Sequence, residues 1–266
     1  MKYEQIKEGR FIARPNRFVA NVIAEGCEVK AHVKNTGRLK ELLVNGAAVY
    51  LQKCDNTNRS TKWSLIGVRK GHQIVNIDSQ VPNKVMHEWL STGGLETIEL
   101  CALTENRTGG STAKTIISTA NTIISPGEEI ITIKPEYTYG NSRLDFFIET
   151  NMKKILMEVK GVTLEENGAA LFPDAPTERG VKHIKELCRS LKEGYFPVIA
   201  FVIQMNDVRY FSPNAKTHKE FAEALIYAHS QGVIIIALNC EVSCDSIVIK
   251  NQVDVITHRS KKNFRL

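Results

Sequence analysis

The chain lacks any segment apolar enough to cross a bilayer as a helix: no uninterrupted hydrophobic run reaches roughly 18 residues. The opening stretch, MKYEQIKEGRFIARPNRF, scatters charge where a secretory signal needs an apolar core. A cytoplasmic protein is the expectation. Cysteine is sparse, with six in 266 residues (Cys27, Cys54, Cys101, Cys188, Cys240, Cys244). Only Cys240 and Cys244 lie close together, and the second ligand pair that a zinc site needs is missing. Reduced, mostly buried thiols packed as small hydrophobes are therefore expected. Disorder is excluded too, because 42% hydrophobic content with 24% charge is the balance of a folded globular chain.

The charge that is present is unevenly placed. Residues 1–90 hold 15 Lys+Arg against 8 Asp+Glu, while the remainder holds 20 against 21. The net +6 thus belongs to the N-terminal third. A polyanion such as nucleic acid is the natural partner for that asymmetry, and a solvated basic face is the alternative.

Six short hydrophobic segments fill the first 80 residues, GRFIA, RFVANVIAEG, CEVKAHVKN, AAVYLQKC, KWSLIGVRKG and HQIVNID, with Gly and Asn between them. Short strands without a helical period predict an OB-like barrel of about five strands. PNKVMHEWLST (82–92) keeps Val85, Trp89 and Leu90 at helical spacing behind a proline, which predicts a short helix. Residues 93–130 are rich in Ser and Thr and read as a linker or surface insertion with one short strand or helix. Beyond them come the strand IITIKPEY, a hairpin (LDFFIE, turn, ILMEVKGV), a helix near 177–193, the strand FPVIAFVIQM, a helix near 217–230 and the strand GVIIIAL. SIVIK and VDVIT read as two edge strands. Strands alternating with helices imply parallel crossovers. The expected fold is mixed α/β: a barrel over 1–82 and an α/β sheet with flanking helices over 83–266.

The hairpin carries the chemistry. Side chains alternate along a strand, so Glu158 and Lys160 share a face. A turn at Thr150–Lys153 pairs Glu149 with Lys154 and sets Asp145 opposite Glu158, with Cβ atoms about 5 Å apart. Two carboxylates that close repel each other and call for positive charge. Lys160 supplies one charge, and a divalent cation supplies two more. Mg²⁺ takes one or two carboxylates plus waters and phosphate oxygens, which makes Asp145, Glu158 and the Val159 carbonyl its candidate ligands. Lys160 would then orient or activate a water, and phosphodiester hydrolysis is the reaction such a site suits. A charge ladder on a wet strand face is the bland alternative. Apolar neighbours on both faces argue against it, because an unpaired charge on a central strand is costly.

Glu136, just upstream, is a possible third carboxylate, and Ser142 and Arg143 stand at the mouth of the hairpin. Gln204 ends FPVIAFVIQM, where strand termini in α/β sheets face ligands. Thr177 is a candidate N-cap, and Arg179, Lys182 and His183 crowd the turn after it, where a helix terminus and cations hold phosphate.

Seven blocks, FIARPNRF, AHVKNTGRLKELL, VPNKV, YGNSRLDFF, MEVKGVTL, FPDAPTERGVKHIKEL and FVIQMND, together resemble the sugar fermentation stimulation protein family. They span most of residues 9–92 and 133–240. The resemblance implies an N-terminal OB-fold, a C-terminal domain similar to PD-(D/E)xK nucleases, and nonspecific DNA binding. Its nuclease-like motif falls on Asp145, Glu158 and Lys160, with Glu136 as the upstream acid. The nucleic-acid surface it implies includes Arg14, Arg17, His32, Asn35, Thr36 and Arg38. Arg14 and Arg17 bracket Pro15-Asn16, and NTGR offers N–H groups and a guanidinium to a phosphate. Phe11, Phe18 and Trp63 read as core residues, so base stacking lacks support. The expected activity is nucleic-acid phosphodiester cleavage with Mg²⁺ or Mn²⁺, on DNA or RNA held by its backbone. The rival is a non-catalytic DNA-binding regulator that keeps a nuclease fold.

Overall fold

A computed structural model describes residues 1–54, 61–100 and 122–257. Six strands open the chain: β1 (Ile6–Asn16), β2 (Val19–Ala24), β3 (Cys27–Val33), β4 (Ala48–Lys53), β5 (Trp63–Lys70) and β6 (Gln73–Asn76). Antiparallel pairing runs β3-β2-β1-β4-β5-β6, and a parallel contact of β3 with β5 (Ala31 to Trp63, Val33 to Leu65) closes five of them into a barrel. Closure removes the free edges that a small sheet would expose. Its interior holds alternate residues such as Ala20, Val22, Ala31 and Val33.

From β6 the chain enters α1 (Val81–Ser91), with Pro82 in its first turn, as expected. The sheet of the second unit is built from β7 (Ile130–Tyr139), β8 (Ser142–Thr150), β9 (Lys154–Val162), β10 (Leu164–Glu166), β11 (Ala169–Phe172), β12 (Phe196–Ile203), β13 (Tyr210–Pro213), β14 (Ile234–Val242) and β15 (Ile247–Val255). Their order is β10-β11-β13-β15-β14-β12-β9-β8-β7. Crossovers through α2 (Glu178–Ser190) and α3 (Lys219–Gln231) set β9, β12 and β14 parallel. Thr177 caps α2, its hydroxyl accepting from the Gly180 N–H at 3.1 Å.

The two expected edge strands near the C-terminus are instead one strand, β15, lying inside the sheet. β14 pairs along its length and β13 adds two residues at its far end, so it is covered on both sides. The linker read over 93–130 is described only at its flanks. A short 3₁₀ turn covers Gly94–Thr97, Glu99 bridges Thr122, Ile123 and Ile124 are buried, and residues 101–121, Cys101 among them, lie outside the described residues. Mostly buried thiols were expected, but Cys240 alone is buried among the described cysteines, and burial pushes its thiol up to about 12. Cys27, at the start of β3, and Cys244, in the bend between β14 and β15, stand exposed.

β9 is apolar on both faces because helices cover both. Leu156 lies in one hydrophobic core with Val181 and Ile184 of α2 and Phe221 of α3, while Met157 and Val159 lie in another with Val85, Met86 and Leu90 of α1.

Candidate functional site

The hairpin forms in the expected register, with Glu149 paired to Lys154 and Phe146 to Met157. Beyond Phe146 a side chain takes over from the ladder. Asp145 Oδ2 accepts the Val159 N–H at 2.7 Å, and Oδ1 accepts from Asn83 Nδ2 of α1 at 2.7 Å. Glu158 is 2% exposed. Its Oε1 receives both the Lys160 ammonium and His183 Nδ1. Arg179 Nε donates to His183 Nε2 at 3.4 Å, which puts the ring proton on Nδ1, the atom facing Glu158. Glu158 Oε2 is buried and accepts no hydrogen bond from any described residue.

This environment separates the two carboxylates. Burial and the charge of Glu158 raise the Asp145 pKa, against the opposing pull of Val159, Asn83 and Lys160. Burial also works to raise Glu158, but the His183 and Lys160 bonds and charges overcome it and hold that carboxyl below its usual range. Glu158 is thus kept as the anion, and Asp145 is the group that resists a second negative charge.

The other acids and cations sort differently. Register would set Glu136 opposite Asp145, between the pairs Pro135–Phe146 and Tyr137–Leu144. Its backbone has φ of 57°, a left-handed conformation that non-glycine residues rarely adopt, and its carboxylate meets Arg143 at 2.8 Å in solvent. Among the described residues no three His, Cys, Asp or Glu side chains form a ready-made metal cluster. The donors left for a cation are the Asp145 and Glu158 oxygens beside Val159, which is itself buried and paired with Ala200. Ser142 is buried, and its hydroxyl has no hydrogen-bond partner among the described residues. On α2, Lys182 donates to the Asn141 carbonyl at 3.0 Å. The sequence places His183 with Arg179 and Lys182 where a helix terminus holds phosphate, but it is 4% exposed and belongs to the carboxylate cluster, because α2 packs directly over β9.

The barrel cations also divide. Arg14 does not present its charge outward. Its guanidinium donates to the carbonyls of Asn35 (2.6 Å), Arg17 (2.7 Å), Gly37 (2.8 Å) and Arg38 (3.2 Å), tying the β1–β2 turn to the loop after β3. Burial lowers its pKa, with Asp174 opposing. Asn35 Oδ1 caps the Gly37 N–H at 2.7 Å. Arg17, Thr36 and Arg38 are exposed, and His32 is half-buried on β3. Phe11 and Trp63 are core residues as expected, whereas Phe18 is 49% exposed with the Arg17 guanidinium over its ring. Gln204 is buried and anchored by its amide to Asn76 and Asp78.

Sequence reasoning missed Asn83, whose signal was its place in the first turn of a helix aimed at β9. It also missed Asp78, buried at 1% exposure and paired with Lys34 at 2.6 Å between the barrel and α1.

A closed OB-type barrel joined to an α/β sheet, with an acid, acid and base cluster on its interior strands, defines the class of the protein. Residues 12–77 match the SfsA N-terminal OB domain, and residues 80–246 match the sugar fermentation stimulation protein RE domain. The chain belongs to the sugar fermentation stimulation protein family. It is 51% identical to a sugar fermentation stimulation protein homolog of Clostridium beijerinckii, over 96% of this chain and 100% of that one. A homolog from Desulfitobacterium hafniense is 50% identical over 93% and 94%. Pyrococcus furiosus SfsA, solved in complex with Ca²⁺, superposes with a TM-score of 0.77 at 29% identity, covering 96% of this chain and 98% of that one.

Proposed function

We propose that the chain is a divalent-metal-dependent phosphodiesterase that cuts nucleic acid, with a PD-(D/E)xK-type centre at Asp145, Glu158 and Lys160. The observation that carries this reading is Glu158 Oε2, a buried anionic oxygen with no hydrogen-bond donor among the described residues, beside a second carboxylate whose ionisation is resisted. Buried polar atoms are rarely left unpaired, and a cation satisfies both defects at once. The Ca²⁺ bound by the Pyrococcus relative supports a divalent site in this fold.

Asp145 and Glu158 fit a hard cation through oxygen donors, with the Val159 carbonyl as a third. Mg²⁺ or Mn²⁺ there supplies charge neutralisation to the phosphodiester and acidifies a water. His183 and Asn83 hold the carboxylates in place from α2 and α1. Lys160, 15% exposed at its side chain, points its ammonium at the same Glu158 oxygen and is the group that orients the attacking water. Arg17, Thr36 and Arg38 offer the exposed barrel contacts to a phosphate backbone.

One observation favours a second reading, a non-catalytic DNA-binding regulator: the Lys160 ammonium and a hydrogen bond from His183 already engage Glu158 without a metal. Incubation with labelled single- and double-stranded DNA and RNA, in Mg²⁺, Mn²⁺ or chelator, beside Glu158→Ala and Lys160→Ala, separates the two. Cleavage by the wild type alone, and with metal alone, supports the enzyme. Binding without cleavage under every metal leaves the regulator.

A further inference from the structure

Across the C-terminal ends of β9 and β12, the barrel and the α/β unit leave a cleft of about 390 Å³ between the loop at Asn35–Gly37 and the loop at Pro173–Thr177. Ligands bind at such strand ends in open α/β sheets, and pockets for small molecules run to roughly 300–1,000 Å³. The cleft is therefore of a size for one small organic group. Gly161, next along β9 from Lys160, is part of its lining.

Gln204 is 1% exposed and also lines the cleft. Its Nε2 donates to Asn76 O, Asn76 Oδ1 and Asp78 O, each at 3.1 Å. Three acceptors around one nitrogen fix the amide, since turning it over would set oxygen against three oxygens. Oε1 is thereby held as an acceptor, and no described residue donates to it. Glycine at 161 leaves it room, because a Cβ there would lie 2.5 Å from Oε1. Thr163, on the neighbouring chain segment after β9, is 8% exposed and lines the same cleft, with no hydrogen bond from its hydroxyl to any described residue. The cleft thus offers a fixed acceptor and a hydroxyl that gives or takes.

The lining argues against a phosphate inside. Asp174 brings its carboxylate to the cleft wall, close enough that a Cβ on Gly37 would lie 2.4 Å from Oδ2. A neutral group with a donor beside an acceptor is the better match. Every nucleobase carries that pair on its pairing edge, and only an unpaired base has the edge free. Arg17 lines the cleft at its rim, and its guanidinium covers one face of the adjoining Phe18 ring at 5.6 Å from the centroid; that ring is 49% exposed, so a neighbouring base can stack against its other side.

Resting on the nucleic-acid reading above, we infer that this cleft receives one unpaired nucleobase of a single-stranded substrate, with its pairing edge on Gln204 and Thr163 and the next base on Phe18. The contacts use what all bases share, so recognition is of strandedness and not of sequence.

Fluorescence anisotropy in chelator, where nothing is cut, tests this with a short labelled oligonucleotide, single-stranded or as a blunt duplex, in DNA and RNA arms. Single strands should bind at least tenfold more tightly than the duplex in one or both arms. Thr163→Val should weaken single-strand binding about two- to tenfold, and Phe18→Ala about five- to a hundredfold, with duplex binding unchanged. Both variants lie off the Gln204 network, and circular dichroism checks that they fold. Equal or tighter duplex binding overturns the cleft assignment alone, as do folded variants that keep full single-strand affinity. Binding of neither form overturns the nucleic-acid reading together with it.

Discussion

His183 bonds the Glu158 carboxylate across 25 residues of sequence, from α2 to β9, and both side chains are almost fully buried. The imidazole is thereby a positioning residue for the candidate cation site. Partners that orient a metal ligand are worth about 10–100-fold in affinity. His183→Ala should lower Mn²⁺ affinity by that factor in isothermal titration while the protein stays folded. An unchanged affinity would leave the histidine a packing residue only.

Cation binding should stabilise the chain. At a free concentration about a hundredfold above Kd, one site adds about 2.7 kcal/mol, which for a chain of this size lifts Tm by about 5–10 °C. Scanning fluorimetry with Mg²⁺, Mn²⁺ and Ca²⁺ against EDTA checks it. Glu158→Gln should show no rise.

The two carboxylates give opposite pH signs. Asp145 has a raised pKa, so the folded, metal-free protein holds a proton that the unfolded chain releases. Stability from this group therefore falls as pH climbs from the ordinary Asp value through the raised one. Glu158 has a lowered pKa, so its contribution is complete above the ordinary Glu value and is lost as pH drops through the lowered one. In EDTA, Tm plotted against pH should show a fall above the ordinary Asp range that Asp145→Asn removes and added Mn²⁺ reverses. Parallel wild-type and variant curves would contradict the assignment.

Arg14 and Arg38 should separate structure from binding. Arg14→Ala loses four bonds from a charged donor to carbonyls and should cost about 2–3 kcal/mol in urea unfolding. Arg38→Ala should leave stability within about 0.5 kcal/mol, lower affinity for nucleic acid alike across sequences, and reduce the salt slope by about 1. Equal stability losses would refute the division.

Gly161→Ala should destabilise by overpacking. Its Cβ would meet Gln204 Oε1 at 2.5 Å and Pro82 Cγ at 2.6 Å, where the sheet, α1 and the bridge to the barrel converge. A loss of about 1–3 kcal/mol in urea unfolding is expected. No loss would mean that this junction yields freely.

What the sequence determined by itself was local in origin. Alternation along β9 put Glu158 and Lys160 on one face, and a four-residue turn set the register from Glu149–Lys154 to Phe146–Met157, which brings Asp145 beside them at the end of the ladder. The closely spaced short strands with Gly and Asn between them likewise announced the barrel. These follow from the period of a strand and the reach of a turn, which neighbouring residues set. Tertiary structure alone decided which groups arrive on those faces from afar. His183 enters the cluster because the crossover lays α2 over β9, and Gln204 is locked because its amide meets Asn76, 128 residues away. Arg14 turns inward because four carbonyls from two segments, the β1–β2 turn and the loop after β3, gather around it, and Phe18 stays in solvent because the β1–β2 turn carries it off the barrel core. A side chain's role at such places depends on partners brought by packing, and periodicity carries no record of them.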